Sequence, residues 1–223
     1  MKKYFTPKII IIILVMATLI TASALYFHQS FFRILPLYIS LFVMILSANV
    51  SRYAYLTGGL NSILYAVIYF YYGVYGVAFQ AMFFSFPVQI ITFIRWKKDS
   101  VNNDVKLKKM NLKQRIITVL AFLVCWSAVL FILNKLGSSY AITDTTSSLL
   151  GILISILTAM AYIEYTYLMI PSGIMNLVLY IQMIADKPEQ TPYLIYGIYS
   201  FICITVQFMN ARKLHKEQNK INK

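Results

Sequence analysis

Acid is scarce in this sequence, with seven Asp and Glu among 223 residues, beside two His and two Cys. Catalysis by paired carboxylates, by a His–carboxylate cluster or by a nucleophile and its base needs groups this chain does not hold at usable spacings. The chain therefore does not read as an enzyme. No metal-ligand spacing exists, so no metal and no cofactor is implied. Cys125 and Cys203 both fall in apolar stretches and read as packed thiols, not as a disulfide. Charge of either sign is missing over long runs: 9–27, 34–51 and 53–94 contain none. A soluble sensor domain has no room, because the sizeable polar segments are only 97–115 and the tail after Arg212, both short and charged. Charge rings or carbonyl filters of the channel kind are not evident.

What fills the chain instead is apolar surface: 60% hydrophobic residues, 12% charged, mean hydropathy +0.70. A hydrocarbon core of about 30 Å takes about 20 apolar residues per helix. That ruler predicts an all-α polytopic membrane protein with eight transmembrane helices, at about 9–27, 34–50, 53–72, 77–96, 116–134, 145–163, 165–184 and 193–212. Strands are excluded, since the apolar stretches are long and do not alternate. The net charge of +13 invites a nucleic-acid reading, but its placement argues against one. With a cytoplasmic amino terminus and eight crossings, every basic residue except Arg33, Lys135 and Lys187 falls inside, as the positive-inside bias requires. The expectation is a multi-pass plasma-membrane protein with both termini cytoplasmic. The basic run Arg95 to Arg115 is then a topology signal, with attraction to anionic lipid as a secondary effect. Lys2-Lys3, an apolar run and Ala22-Ser23-Ala24 look like a signal peptide. The run is long for that role, so a retained helix within 1–30 is expected.

Two stretches of the chain read alike. Asn61 and Tyr65, then Gln89, then Arg95 are followed about 115 residues later by Asn176 and Tyr180, then Gln207, then Lys213. Helices two to four (31–96) and six to eight (144–213) thus form two units that both begin outside and end inside. Helix five, within 116–143, restores the direction between them, after the basic loop 97–115; the tail is 214–223. The plan is one helix plus a 3+1+3 bundle of parallel repeats, a SWEET-like architecture with its site between the halves.

The residues now resemble a known family. Asn61-x-x-x-Tyr65, Gln80-Ala-Met-Phe and Gln89-Ile-Ile-Thr-Phe-Ile-Arg95-Trp96 look like the nicotinamide riboside transporters of the PnuC family. That family usually closes this helix on Gly-Trp-Tyr-x-Trp; Trp96 matches the final Trp, while Thr92, Phe93 and Ile94 depart from the rest. Asp144-Thr145-Thr146 and Ala161-Tyr162-Ile163-Glu164 resemble the family's Asp and its Ile-Glu-Asn-Trp segment, with Tyr165-Thr166 in place of Asn-Trp. The resemblance covers about 36–213. It implies uptake of nicotinamide riboside, trapping by intracellular phosphorylation and a homotrimer. Relatives carrying thiamine, riboflavin or deoxynucleosides keep those cargoes in view.

Nicotinamide riboside combines a flat ring bearing a carboxamide, a ribose and one delocalised positive charge. Amides donate to and accept from a carboxamide or hydroxyl, and aromatic faces attract a cationic ring. The candidate substrate-binding residues are Asn61, Tyr65, Gln80, Gln89, Asn176, Tyr180 and Gln207, with Tyr167 added for its place near the family's missing Trp. The plainer role for any single amide is a hydrogen bond across a helix interface, worth ~0.6–2 kcal/mol. Gln80 joins Gln89 only if helix four bends, and Pro87 offers the place. Tyr69, Tyr71, Tyr72 and Tyr75 read as an interfacial belt, and Tyr162 and Tyr165 are ambiguous. No carboxylate falls near the middle of a helix, so facilitated diffusion without a coupling ion is expected.

Overall fold

The computed structural model describes residues 7–71, 80–98, 100–101, 104–135 and 140–221. Eight α-helices run through these residues: α1 (Pro7–Tyr26), α2 (Phe31–Ala48), α3 (Tyr53–Tyr71), α4 (Phe86–Lys98), α5 (Leu112–Lys135), α6 (Ala141–Ala159), α7 (Glu164–Asp186) and α8 (Thr191–Ile221). A π-helix (Gln80–Ser85) leads into α4, and a 3₁₀ turn (Pro188–Gln190) precedes α8. Six helices, all but α3 and α4, are long and apolar enough to cross a membrane. The chain is a multi-pass membrane protein by that measure. Tyr72, Gly73 and Tyr75 lie outside the described residues, as do the side chains of Tyr69, Tyr71 and Asp144.

Helix α2 shows how the apolar pattern becomes packing. Ile34, Leu37, Leu41, Ile45 and Ala48 recur every third or fourth residue, and all are buried. They meet Ile13, Ile20 and Ala24 of α1 and Tyr199 and Cys203 of α8. The principal neighbours form a closed ring, α2–α3–α4–α6–α7–α8 and back to α2. Helix α1 packs outside the ring against α2 and α8, and α5 packs outside against α6.

The start of helix four departs from a plain α-helix. Pro87 has no N–H, so the carbonyl four residues earlier loses its partner. The chain meets this with the π-turn Gln80–Ser85 directly before the proline, and α4 resumes at Phe86. Such π segments change the direction in which preceding side chains point.

The α2–α3 and α6–α7 connections are the same turn built twice. Val50 (φ 53°) and Ala161 (φ 57°) each take the left-handed conformation just past a helix end. Ser51 N–H donates to Leu46 O (3.0 Å) and Val50 N–H to Ser47 O (2.8 Å); Tyr162 N–H donates to Leu157 O and Ala161 N–H to Thr158 O, both at 2.9 Å. These are Schellman closures. Neighbouring ring helices also cap carbonyls at the two helix ends: Asn210 Nδ2 donates to Ala48 O (2.7 Å), and Trp96 Nε1 gives Thr158 O a second donor (2.9 Å).

The basic stretch expected to be too charged to fold alone does not stand alone. Ser100–Val101 pairs antiparallel with Asp104–Val105. Lys108 N–H donates to Ala161 O, and Ile163 N–H donates to Lys108 O, each at 2.8 Å, so the loop adds a strand-like bridge to the α6–α7 turn. Leu107 and Met110 are buried with Trp96, Leu157 and Ala161 while the lysines between them stay in solvent. Leu107 N–H reaches Gln218 Oε1 (3.1 Å) on α8, which runs on as helix through the expected tail. Glu164 Oε1 accepts from Met110 N–H (3.1 Å) and from Arg115 (2.7 Å). Removing that acceptor in Glu164→Ala costs about 1–3 kcal/mol. The expected outcome is a lower unfolding temperature and faster tryptic cleavage at Lys106, Lys108 and Lys109 of the folded protein; unchanged digestion contradicts the docking.

Candidate functional site

The six ring helices line a cavity of about 150 Å³, and each contributes to its wall. Val43 and Ser47 come from α2, Ala54 and Tyr55 from α3, and Val88, Gln89 and Thr92 from α4. Ile154, Ser155 and Thr158 come from α6, Tyr165 and Met169 from α7, and Gln207 from α8. Among the described residues, no side chain in this wall carries a formal charge.

Two of the candidate amides lie here. Gln207 is 1% exposed; its Oε1 accepts from Ser47 Oγ (3.0 Å) and its Nε2 donates to Tyr165 OH (3.3 Å). Gln89 donates through Nε2 to Ser62 Oγ (3.1 Å), and Ser62 passes the bond to Gly58 O (3.0 Å). The Gln89 carbonyl oxygen lies against Gly58, where a Cβ would collide with it. Glycine at that position is therefore a condition for this placement of the amide. Thr92, Ser155 and Thr158 each donate to a carbonyl of their own helix, at 2.7, 2.8 and 2.6 Å, so their oxygens keep acceptor capacity. Aromatic faces close one side: Tyr55 stands edge-on to Trp96 (4.7 Å between centroids), and Trp96 is tilted against Tyr165 (6.4 Å). The wall thus offers amides, hydroxyl oxygens and aromatic rings, a set suited to an uncharged or delocalised-cation polar ring.

The other candidates stand elsewhere. Asn61 is buried between α2 and α3, donating to Ser40 Oγ (2.8 Å) and Pro36 O (3.1 Å). Tyr65 OH lies 3.3 Å from the same Ser40 Oγ. This pair braces a helix interface and does not line the cavity. Asn176 is half-buried on α7 and is also absent from the wall. Tyr180 wedges against α8, its ring 2.7 Å from where a Cβ on Gly197 would sit. Tyr167 is 47% exposed, packs edge-on against Phe208 (5.3 Å) and borders a different groove. Gln80 opens the π-helix; its side chain lies outside the described residues.

Register explains why the matched asparagines do not meet. The turns at Val50 and Ala161 are 111 residues apart, whereas Asn61 and Asn176 are 115 apart. Asn176 therefore sits about one helical turn, ~6 Å, farther from its turn than Asn61 does. At the turn-to-turn spacing Asn61 corresponds to Ser172, which is buried, and Ser62 to Gly173. Gly173 receives Phe201 and Ile204 at close contact (2.8 and 3.2 Å to a notional Cβ) where Ser62 receives Gln89.

Sequence reasoning also missed wall residues. Tyr165 is fully buried, not interfacial, and together with Thr92 it occupies a position where the sequence departs from the family's usual motifs. Those departures were the available signal.

The family described as nicotinamide mononucleotide transporter matches residues 30–211. The chain belongs to this family. The nicotinamide riboside transporter PnuC of Neisseria mucosa is 25% identical over 172 residues, covering 74% of this chain and 65% of that protein. This chain thus aligns with just under two thirds of that relative's length. The crystal structure of the vitamin B3 transporter PnuC superposes with a TM-score of 0.77 at 20% identity, covering 96% of this chain and 94% of that one. The chain therefore shares the fold of that structure, and the family members matched are named as transporters.

The bracing role of Asn61 makes a testable difference between the two asparagines. Asn61→Leu loses two interhelical hydrogen bonds, ~0.6–2 kcal/mol each. Its unfolding temperature in detergent is expected to fall, while Asn176→Leu leaves it near that of the parent protein.

Proposed function

We propose that this chain is a plasma-membrane transporter that imports nicotinamide riboside by facilitated diffusion, with intracellular phosphorylation trapping the cargo. One observation carries the reading: a cavity whose described wall is uncharged, with amides, hydroxyls and tyrosines among the residues that the six ring helices contribute, in a chain of this family. Gln89 is the amide placed to meet the cargo's carboxamide or ribose, and Tyr55 and Tyr165 supply faces for the cationic ring. Gln207, held by Ser47 and Tyr165, fixes the opposite wall. Asn61, Tyr65, Asn176, Tyr180, Gln80 and Tyr167 act on binding only through movements that bring them to this space.

Eight crossings in a SWEET-like 3+1+3 arrangement, both termini cytoplasmic, complete the proposal. The closed order of the ring supports it, because exchanging α2–α3–α4 with α6–α7–α8 leaves the pattern of neighbours unchanged. The repeated turns support it too. Small-molecule sites typically occupy about 300–1,000 Å³, so the cavity of about 150 Å³ is a contracted form that widens around cargo. The π-turn and Pro87 beside Gln89 are the place for that movement. The homotrimer rests on family resemblance.

Proteoliposome uptake tests the cargo with nicotinamide riboside, nicotinamide mononucleotide, thiamine, riboflavin and deoxynucleosides. Nicotinamide riboside is expected to be carried best; preferential uptake of another member reassigns the cargo and keeps the class. Gln89→Leu and Gly58→Ala, which displaces the Gln89 amide, are each expected to weaken binding by about 1–3 kcal/mol, roughly 5- to 150-fold. The double variant is expected to be no worse than Gln89→Leu alone. Collapsing sodium and proton gradients should leave initial uptake unchanged; loss of uptake refutes the absence of ion coupling.

A further inference from the structure

A second groove, of about 460 Å³, lies between the first turns of α5 and α7 and the far part of α8, and shares no wall residue with the central cavity. Its composition is layered. Lys109, Arg115 and His215 border one end. One turn further along α5 and α7 the wall is formed by Val119 and Leu168, beside Thr118 and Tyr167, with Met110 among the residues at the charged end. The neighbouring face of α5 is exposed and hydrophobic: Ile116, Ile117 and Leu120 are 51%, 65% and 57% exposed. In a membrane-spanning chain such a helix face meets lipid tails, so the groove sits at the level where headgroup gives way to acyl chain.

Its electrostatics select among lipids. The carboxylate in the wall, Glu164, is already matched by Arg115 at 2.7 Å, which leaves Lys109 as excess positive charge. Asn219 Nδ2 lies 3.2 Å from His215 Nε2 and holds that side of the ring. His215 Nδ1 is buried without a partner, and so is Glu164 Oε2. The walls therefore hold two unpartnered polar atoms beside a surplus cation. A headgroup that carries phosphate oxygens together with hydroxyls offers a partner to each.

We infer that this groove is a binding site for an anionic phospholipid with a hydroxyl-bearing headgroup, of the phosphatidylglycerol type, its phosphate at Lys109 and His215 and one acyl chain along Val119 and Leu168. The inference rests on the multi-pass membrane reading and is independent of the cargo.

The test is native mass spectrometry of the full-length protein, delipidated in detergent and titrated with phosphatidylglycerol or phosphatidylcholine of the same acyl chains. Each basic contact is worth on the order of fivefold in anionic-lipid preference. The parent protein is expected to retain phosphatidylglycerol over phosphatidylcholine by at least about that factor. Lys109→Gln with His215→Ala should bring the two lipids level, whereas Lys113→Gln, an exposed lysine outside the groove, should leave the preference intact. Equal retention of both lipids by the parent protein overturns the inference, as does a preference that survives the double substitution. Displacement of phosphatidylglycerol by an equal concentration of glycerol 3-phosphate overturns it as well, because the groove would then serve a soluble anion. None of these readings depends on transport, so failure here leaves the cargo assignment standing.

Discussion

An amide carried into hydrocarbon has to find its partners within the protein, and in this chain that requirement is met most completely at Gln207. Both ends of its amide are bonded, to Ser47 of α2 and to Tyr165 of α7. The contact between α8 and α2 is the one that joins the last helix of the ring to the first. Tyr199 OH donating to Leu41 O (2.8 Å) and Asn210 donating to Ala48 O (2.7 Å) repeat the tie along the same pair of helices. Apolar packing alone gives little preference for one neighbour over another in lipid, since tails and side chains are equally apolar. The hydrogen bonds select the pairing, and with the ring closed the space at its centre becomes a cavity.

The helices were legible because the apolar runs are long, uncharged and bounded by basic residues. The amides at Gln89 and Gln207 were legible because polar groups are rare in such runs. The roles of Asn61 and Asn176 were not, since a spacing counted in residues does not say where the preceding turn ends. Only the left-handed residues Val50 and Ala161 supply that origin, and neither is a glycine that would betray it in sequence. Tyr165 was marked only by its departure from the family's motif and otherwise stood among 18 tyrosines. The docking of 107–110 was hidden for a different reason: Leu107 and Met110 are single apolar residues among lysines, and their burial depends on a backbone bridge to residues more than fifty positions away.

Helix four joins these levels. A proline in a membrane helix needs its orphaned carbonyl accommodated, and the π-turn before Pro87 does so where the helix approaches α3. Gly58 and Gly59 let that approach become close, with Gln89 and Ile90 packed over them. The sequence signal for the bend was present in Pro87. The form of the bend was not, because it depends on which neighbouring helix the preceding residues must avoid.

The two halves part company just beyond their matching turns. In one, Ser62 receives an amide; at the corresponding place in the other, Gly173 receives a phenyl ring and an isoleucine methyl. A bundle made of identical halves would present the same surface twice, related by a half rotation. Filling one cleft with hydrocarbon while leaving the other polar makes the two sides of the ring chemically distinct. Under the proposed function, that distinction reaches the cargo through Gln89, the wall amide that the polar cleft holds.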